Sequence, residues 1–163
     1  EFLYRWKYAH IDPQDCFSWA EPLIKAGGAT GAVLMLLGSP EMQGLERDHY
    51  IRRILDELGI EEPADDDLVK HQEHLLILRY LKGEMTVTEL TAAGEKLWIV
   101  SGYNSDYLIW AYLDEDSWNL SLAVSDKYRQ FFYLDPDDVD GSLRACLEKN
   151  GKMCFLDEQK QVP

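Results

Sequence analysis

Residues 96–134 read KLWIVSGYNSDYLIWAYLDEDSWNLSLAVSDKYRQFFYL, and the parsing of this stretch decides the fold. Four runs in it are rich in aromatic and β-branched residues: Leu97–Tyr103, Tyr107–Leu113, Trp118–Val124 and Tyr128–Leu134. Asn104–Asp106, Asp114–Ser117 and Ser125–Lys127 separate them. Short polar breaks between apolar runs are hairpin signals. Trp118, Leu120, Leu122 and Val124 alternate with Asn119, Ser121, Ala123 and Ser125, the pattern of a strand buried on one face. Tyr107–Leu113 is apolar on both faces and is expected at the centre of a sheet. The stretch therefore predicts an antiparallel β-meander.

Upstream, the texture is helical. Tyr4, Trp6 and Tyr8 alternate with Arg5 and Lys7, so Phe2–Ile11 reads as a strand-like arm. Asp12-Pro13-Gln14-Asp15 then supplies an N-cap, a proline at the first helical position and an acid in the first turn. Phe17, Ala20 and Ile24 follow on one face, and Gly27-Gly28 ends the helix. The apolar stretch Ala29–Leu37 leans to helix through its Ala, Met and Leu content. Ser39-Pro40-Glu41 is read as the start of a helix whose stripe is Ile51, Ile54, Leu55 and Leu58, stopped by Gly59. Asp67 is read as the cap of a further helix running to Leu81.

Downstream, Asp135-Pro136-Asp137-Asp138 repeats the Asp-Pro-x-Asp start, and Val139, Leu143 and Leu147 form its stripe. Lys152–Leu156 is expected to add a short last strand, and 157–163 to be a loose tail. Helices and strands segregated along the chain predict a single α+β domain over 1–163. In it, N-terminal helices pack on a C-terminal antiparallel β-meander, followed by a helix and a short strand. The start at Glu1 rather than Met is read as a cloning-derived leader within 1–3, with native residues missing upstream.

The 163 residues are 46% hydrophobic and 12% aromatic, enough for a core without metals or disulfides. Thirty acids against 16 bases leave a net charge of −14. Such a field repels nucleic acid and anionic membrane and favours a basic partner. Cys16, Cys146 and Cys154 form an odd set without CxxC spacing, which fits free thiols in a reducing, cytoplasmic setting, with a Cys146–Cys154 bridge as the alternative. No apolar run approaches the roughly 20 residues that span a membrane.

Several motifs carry chemistry on paper. His71-Gln72-Glu73-His74 places two imidazoles at i and i+3 with an acid between them. Zinc helices use i and i+4, so a solvated helix face is the better account, and a metal-dependent hydrolase at His71 and His74 is kept as the rival reading. Asp137–Gly141 fails as a calcium loop, because Pro136 and Leu147 fall where acids are needed. Ala26–Gly31 lacks the Gly-Lys-Ser/Thr of a phosphate cradle. Cys16 with His10 and Asp15 is too weak a grouping for a nucleophile. No catalytic residue, metal site or cofactor is assigned.

The acids are unevenly spread. From Leu97 to Leu143 there are nine of them against Lys127 and Arg129, gathered in the turns of the expected meander. Tyr103, Asp106, Tyr107, Asp114, Glu115, Asp116 and Trp118 are the expected partner-binding surface, with aromatics as anchors and acids steering a basic partner. Glu61, Glu62, Asp65, Asp66 and Asp67 form a second acidic patch. In size, charge and aromatic content the chain resembles the acidic immunity proteins that bacteria pair with toxic nucleases. No motif matches, so no residue is carried across. The resemblance implies a non-enzymatic inhibitor that neutralises a basic toxin or effector, and a secretion or assembly chaperone is a related alternative. The oligomeric state stays open.

Overall fold

The computed structural model describes residues 1–42, 44–123, 129–131 and 133–156. These residues divide into two compact units, Glu1–Ala64 and Asp65–Pro163. Among the described residues there is no strand, only an isolated bridge between Asp135 and Asp138. The α+β expectation is therefore overturned: the described chain is all-helical.

The first unit holds α1 (Phe2–Tyr8), α2 (Pro13–Lys25), α3 (Gly31–Gly38) and α4 (Gly44–Glu57). Phe2–Tyr8 is a helix, not the expected arm. Its alternation misleads because Trp6 alone is buried, while Phe2 stacks on Trp19 at 4.4 Å. The Asp12 start is observed as a full capping box, with Asp12 and Asp15 each accepting the other's backbone N–H. Arg5 clamps the same Asp15 from α1 at 2.5 and 2.7 Å. Ala29–Leu37 leaned correctly, since Gly31–Gly38 is helix behind a Thr30 cap. The stripe of α4 buries Ile51, Ile54 and Leu55 as expected, but the helix opens at Gly44 rather than at Pro40. These residues pack with Trp6, Ala20, Ala32 and Val33 into one apolar cluster.

The second unit holds α5 (Asp65–Leu81), α6 (Val87–Val100), a 3-10 turn (Ser105–Tyr107), α7 (Leu108–Ser121) and α8 (Val139–Lys149). Helix α6 is central, packing on α5, α7 and α8. Its start is a second capping box, Thr86 with Glu89, which sequence reading passed over. The close approach of α6 and α7 rests on Gly94, where a Cβ would overlap the ring of Trp110.

Residues 96–100 and Leu108–Ser121, within the stretch read as a meander, are helix for a definite reason. Along α6 the buried residues are Leu90, Thr91, Gly94 and Leu97; on the 3-10 turn and α7 they are Tyr107, Trp110, Leu113, Asp116 and Ser117. Those spacings are helical, but Thr, Gly, Asp and Ser occupy part of the buried face. Polar and small residues on that face hide the period, and the aromatic content then imitates strands. Trp118 and Leu122 are exposed, so the alternation seen there is not a buried face. Val124, Ser125–Lys127, Tyr128 and Phe132 lie outside the described residues, as does the expected loose tail. Residues 129–131 and 133–134 form no strand, and Lys152–Leu156 is turn and helical backbone rather than a strand. The Asp-Pro-x-Asp helix start is found at α8, with Asp138 rather than Asp135 as the cap.

Candidate functional site

The predicted partner surface separates into four environments. Asp116 belongs to the core. Its side chain is 0% exposed and accepts from Arg129 Nε at 3.0 Å, Arg129 Nη2 at 2.7 Å and the Leu134 backbone N–H at 2.8 Å. Arg129 also donates to the Leu134 carbonyl at 2.9 Å. This pair ties Arg129 and Leu134 to α7 and presents nothing to a partner. Asp114 is half-buried against α6, where Thr91 Oγ1 donates to it at 3.4 Å, and burial raises its carboxyl pKa. Glu115 and Trp118 stand on the outer face of α7, together with Leu122. Tyr103 is also exposed; it holds a left-handed backbone at φ 64° with its ring edge-on to Trp98 at 4.9 Å.

Asp106 and Tyr107 lie elsewhere, beside a cleft of about 590 Å³. Its walls come from α5 (Lys70, Glu73, His74), the 3-10 turn, the first turns of α7 (Tyr112 among them), Tyr133, and the Asn150–Lys152 turn after α8. At its floor Glu73 is buried. The carboxylate accepts Trp110 Nε1–H at 2.6 Å and the Lys152 ammonium at 2.8 Å, with the two side chains 5% and 11% exposed. Lys152 Nζ also donates to the Asp106 carbonyl at 2.6 Å and stands 4.6 Å from the centre of the Tyr107 ring. A carboxylate, a carbonyl and a π-face thus enclose one ammonium (a combination that compensates its lost hydration). Burial pushes the Tyr107 phenol up to about 12, helped by the charges of Glu73, Asp66 and Asp106. That phenol stays protonated through the physiological range.

The second acidic patch falls across both units. Glu61 and Glu62 belong to the first, where Glu62 pairs with Lys7 at 3.0 Å and Arg52 at 3.5 Å, and the Lys7 contact holds its carboxyl below the usual range. Asp65, Asp66 and Asp67 form the first turn of α5, where the helix N-terminus favours negative charge. Asp66 acts electrostatically on Tyr107, so the charge of one residue of each predicted patch is felt at the same phenol. Sequence reading missed Glu73, Lys152, Tyr112 and Tyr133 as parts of this site. Glu73 had one visible signal, its place inside the His71–His74 motif.

The metal reading gains no third ligand. His71 is exposed, His74 stacks on Phe155 at 4.0 Å, and no cluster of three ligating side chains occurs among the described residues. Cys16, Cys146 and Cys154 are free thiols, and burial raises the pKa of the first two. Two further clefts have polar groups that are already partnered. In the first unit the Trp6 N–H is taken by Asp48 at 2.8 Å, and Arg47 by the carbonyls of Met42 and Ile11. In the second, Tyr80 donates to Asp140 at 2.5 Å.

Comparison with protein-family models, curated proteins and solved structures returned no match. The expected likeness to an α+β immunity protein or toxin inhibitor is therefore overturned. The described chain has no sheet, and neither fold nor comparison supports that likeness.

No helix among the described residues is long and apolar enough to cross a membrane.

Proposed function

We propose that this chain is a non-enzymatic protein-binding domain that captures a basic protein partner at the Tyr107 end of the second-unit cleft. The observation that carries the reading is a cleft lined by Asp106, Tyr107, Tyr112 and Tyr133, at which the charge of Asp66 adds to that of Asp106 in raising the Tyr107 phenol. Both acids are exposed, and neither forms an ion pair among the described residues. Lys70 at the rim opposes them, but Asp65 and Asp67 flank Asp66 on the same helical turn. Carboxylates of this kind raise association rates with a basic surface, and Tyr112 and Tyr133 supply amphipathic contact area. At the floor Glu73 is engaged by the Trp110 N–H and the Lys152 ammonium. Three free thiols suit a reducing compartment, so the cytoplasm is the proposed location.

The test is charge reversal. Asp66→Lys/Asp106→Lys should weaken binding of a lysine-rich peptide at least tenfold in low salt, by titration calorimetry, with helical content unchanged. Glu115→Lys, at a different place on α7, should change it little. Equal weakening by both variants would reduce the effect to net charge and remove the site.

A further inference from the structure

We infer that the corner formed by Glu73, the Asp106 carbonyl and the Tyr107 ring is a receptor for a lysine ammonium, with the chain's own Lys152 as resident. The inference rests on the basic-partner reading and narrows it to a chemistry. What a pocket holds internally shows what it can hold from outside. Lys152 Nζ is met by the Glu73 carboxylate at 2.8 Å, by the Asp106 carbonyl at 2.6 Å and by the Tyr107 face at 4.6 Å. That set suits a primary ammonium, which has three donors to direct and a compact charge. A guanidinium is planar and broader, and a quaternary ammonium has no N–H to give.

Two features make exchange with an outside lysine feasible. Lys152 is delivered by the turn after α8, not by a helix, and its preceding residue Gly151 has φ 69°. The seat opens into the 590 Å³ cleft, so an incoming alkyl-ammonium can pass along Tyr112 and Tyr133 rather than through packed core. A partner's lysine then takes the three contacts that Lys152 releases, and Lys152 regains hydration. Net charge at the corner is the same before and after, so the exchange needs no proton.

The experiment is chemical rescue of full-length Lys152→Ala with n-butylamine hydrochloride. The amine should raise the thermal midpoint of Lys152→Ala by roughly 3–6 °C when present tenfold above its dissociation constant. Sodium chloride and tetramethylammonium chloride at equal ionic strength should not, and neither should n-butylamine with wild type or with Lys152→Ala/Glu73→Gln. The Trp110 indole N–H resonance should shift with the amine, because that proton shares Glu73 Oε1 with the ammonium. Should Lys152→Ala be unfolded alone, recovery of its helical circular dichroism on adding the amine supports the receptor, and no recovery overturns it. In a folded Lys152→Ala, no saturable amine effect overturns it too. No partner enters this assay. If rescue fails while Asp66→Lys/Asp106→Lys still abolishes peptide binding, the receptor falls and basic-partner capture stands. If rescue succeeds while charge reversal leaves peptide binding intact, the receptor stands without that partner reading.

Discussion

Replacing Asp116 with Ala should do far more damage than its place in an acidic surface run suggests. The substitution removes the acceptor of both Arg129 contacts, at 3.0 and 2.7 Å, and of the Leu134 N–H at 2.8 Å. It takes the Asp116 carboxylate away from a guanidinium that is 2% exposed. Breaking one side of a buried ion pair costs about 3–5 kcal/mol. For a chain of this size each kcal/mol moves the melting midpoint by roughly 2–4 °C, so a fall of roughly 6–20 °C is expected. The assay is urea and thermal unfolding followed by far-ultraviolet circular dichroism. Arg129→Met should also destabilise, since it strands the carboxylate. The double change Asp116→Leu/Arg129→Met should recover much of the loss, because an apolar pair of similar volume needs no desolvation. Glu115→Ala, one residue away and exposed, is the control and should match wild type. A loss below about 1 kcal/mol for Asp116→Ala, the range of exposed pairs, would refute the burial of this pair.

Other substitutions probe the remaining contacts. Gly94→Ala gains about 1 kcal/mol of helix propensity but drives a methyl into the Trp110 ring, at an overpacking cost of about 1–3 kcal/mol; a lower melting midpoint is expected, and a higher one would show α6 and α7 farther apart than described. Glu73→Gln should cost about 2 kcal/mol in urea unfolding through the weakened Lys152 contact, with near-wild-type stability counting against a buried ammonium. Asp114 has a folded-state pKa above its unfolded value, so the wild type gains stability as pH falls through the folded value and loses it on the way up. Asp114→Asn should therefore melt higher than wild type at neutral pH, with the gap closing towards the unfolded carboxyl pKa; a gap that widens on acidification would mean the carboxylate is favourably held.

Capping chemistry was legible in the sequence because it is local. Asp12 with Pro13 and Asp15 marks α2, and Gly59 and Gly83 stop α4 and α5 with φ of 66° and 75°. The α4 stripe was legible because Ile51, Ile54 and Leu55 are apolar and unambiguous. The 96–134 stretch misleads because its buried positions include Asp116 and Ser117, and because α6, which runs into it, packs through Thr91 and Gly94, each answering to a tertiary contact that no local window contains. The same blindness reached the site. Asp106 and Tyr107, picked out by charge and aromaticity, line one cleft, whereas Asp116, picked out on the same grounds, is buried. Lys152 could not be found from sequence, since its partners Glu73 and Asp106 are remote along the chain and meet it only through the packing of α5, the 3-10 turn and the turn after α8.

The central claim is that basic capture is localised at the Asp66–Asp106–Tyr107 corner. A lysine-rich peptide titrated into isotope-labelled protein tests it directly by amide and indole resonances. The account predicts saturable shifts concentrated at Asp66, Asp106, Tyr107 and the Trp110 indole, fading as salt rises. Shifts spread evenly over the acidic residues, or gathered at the exposed Asp135–Asp140 turn, would contradict it.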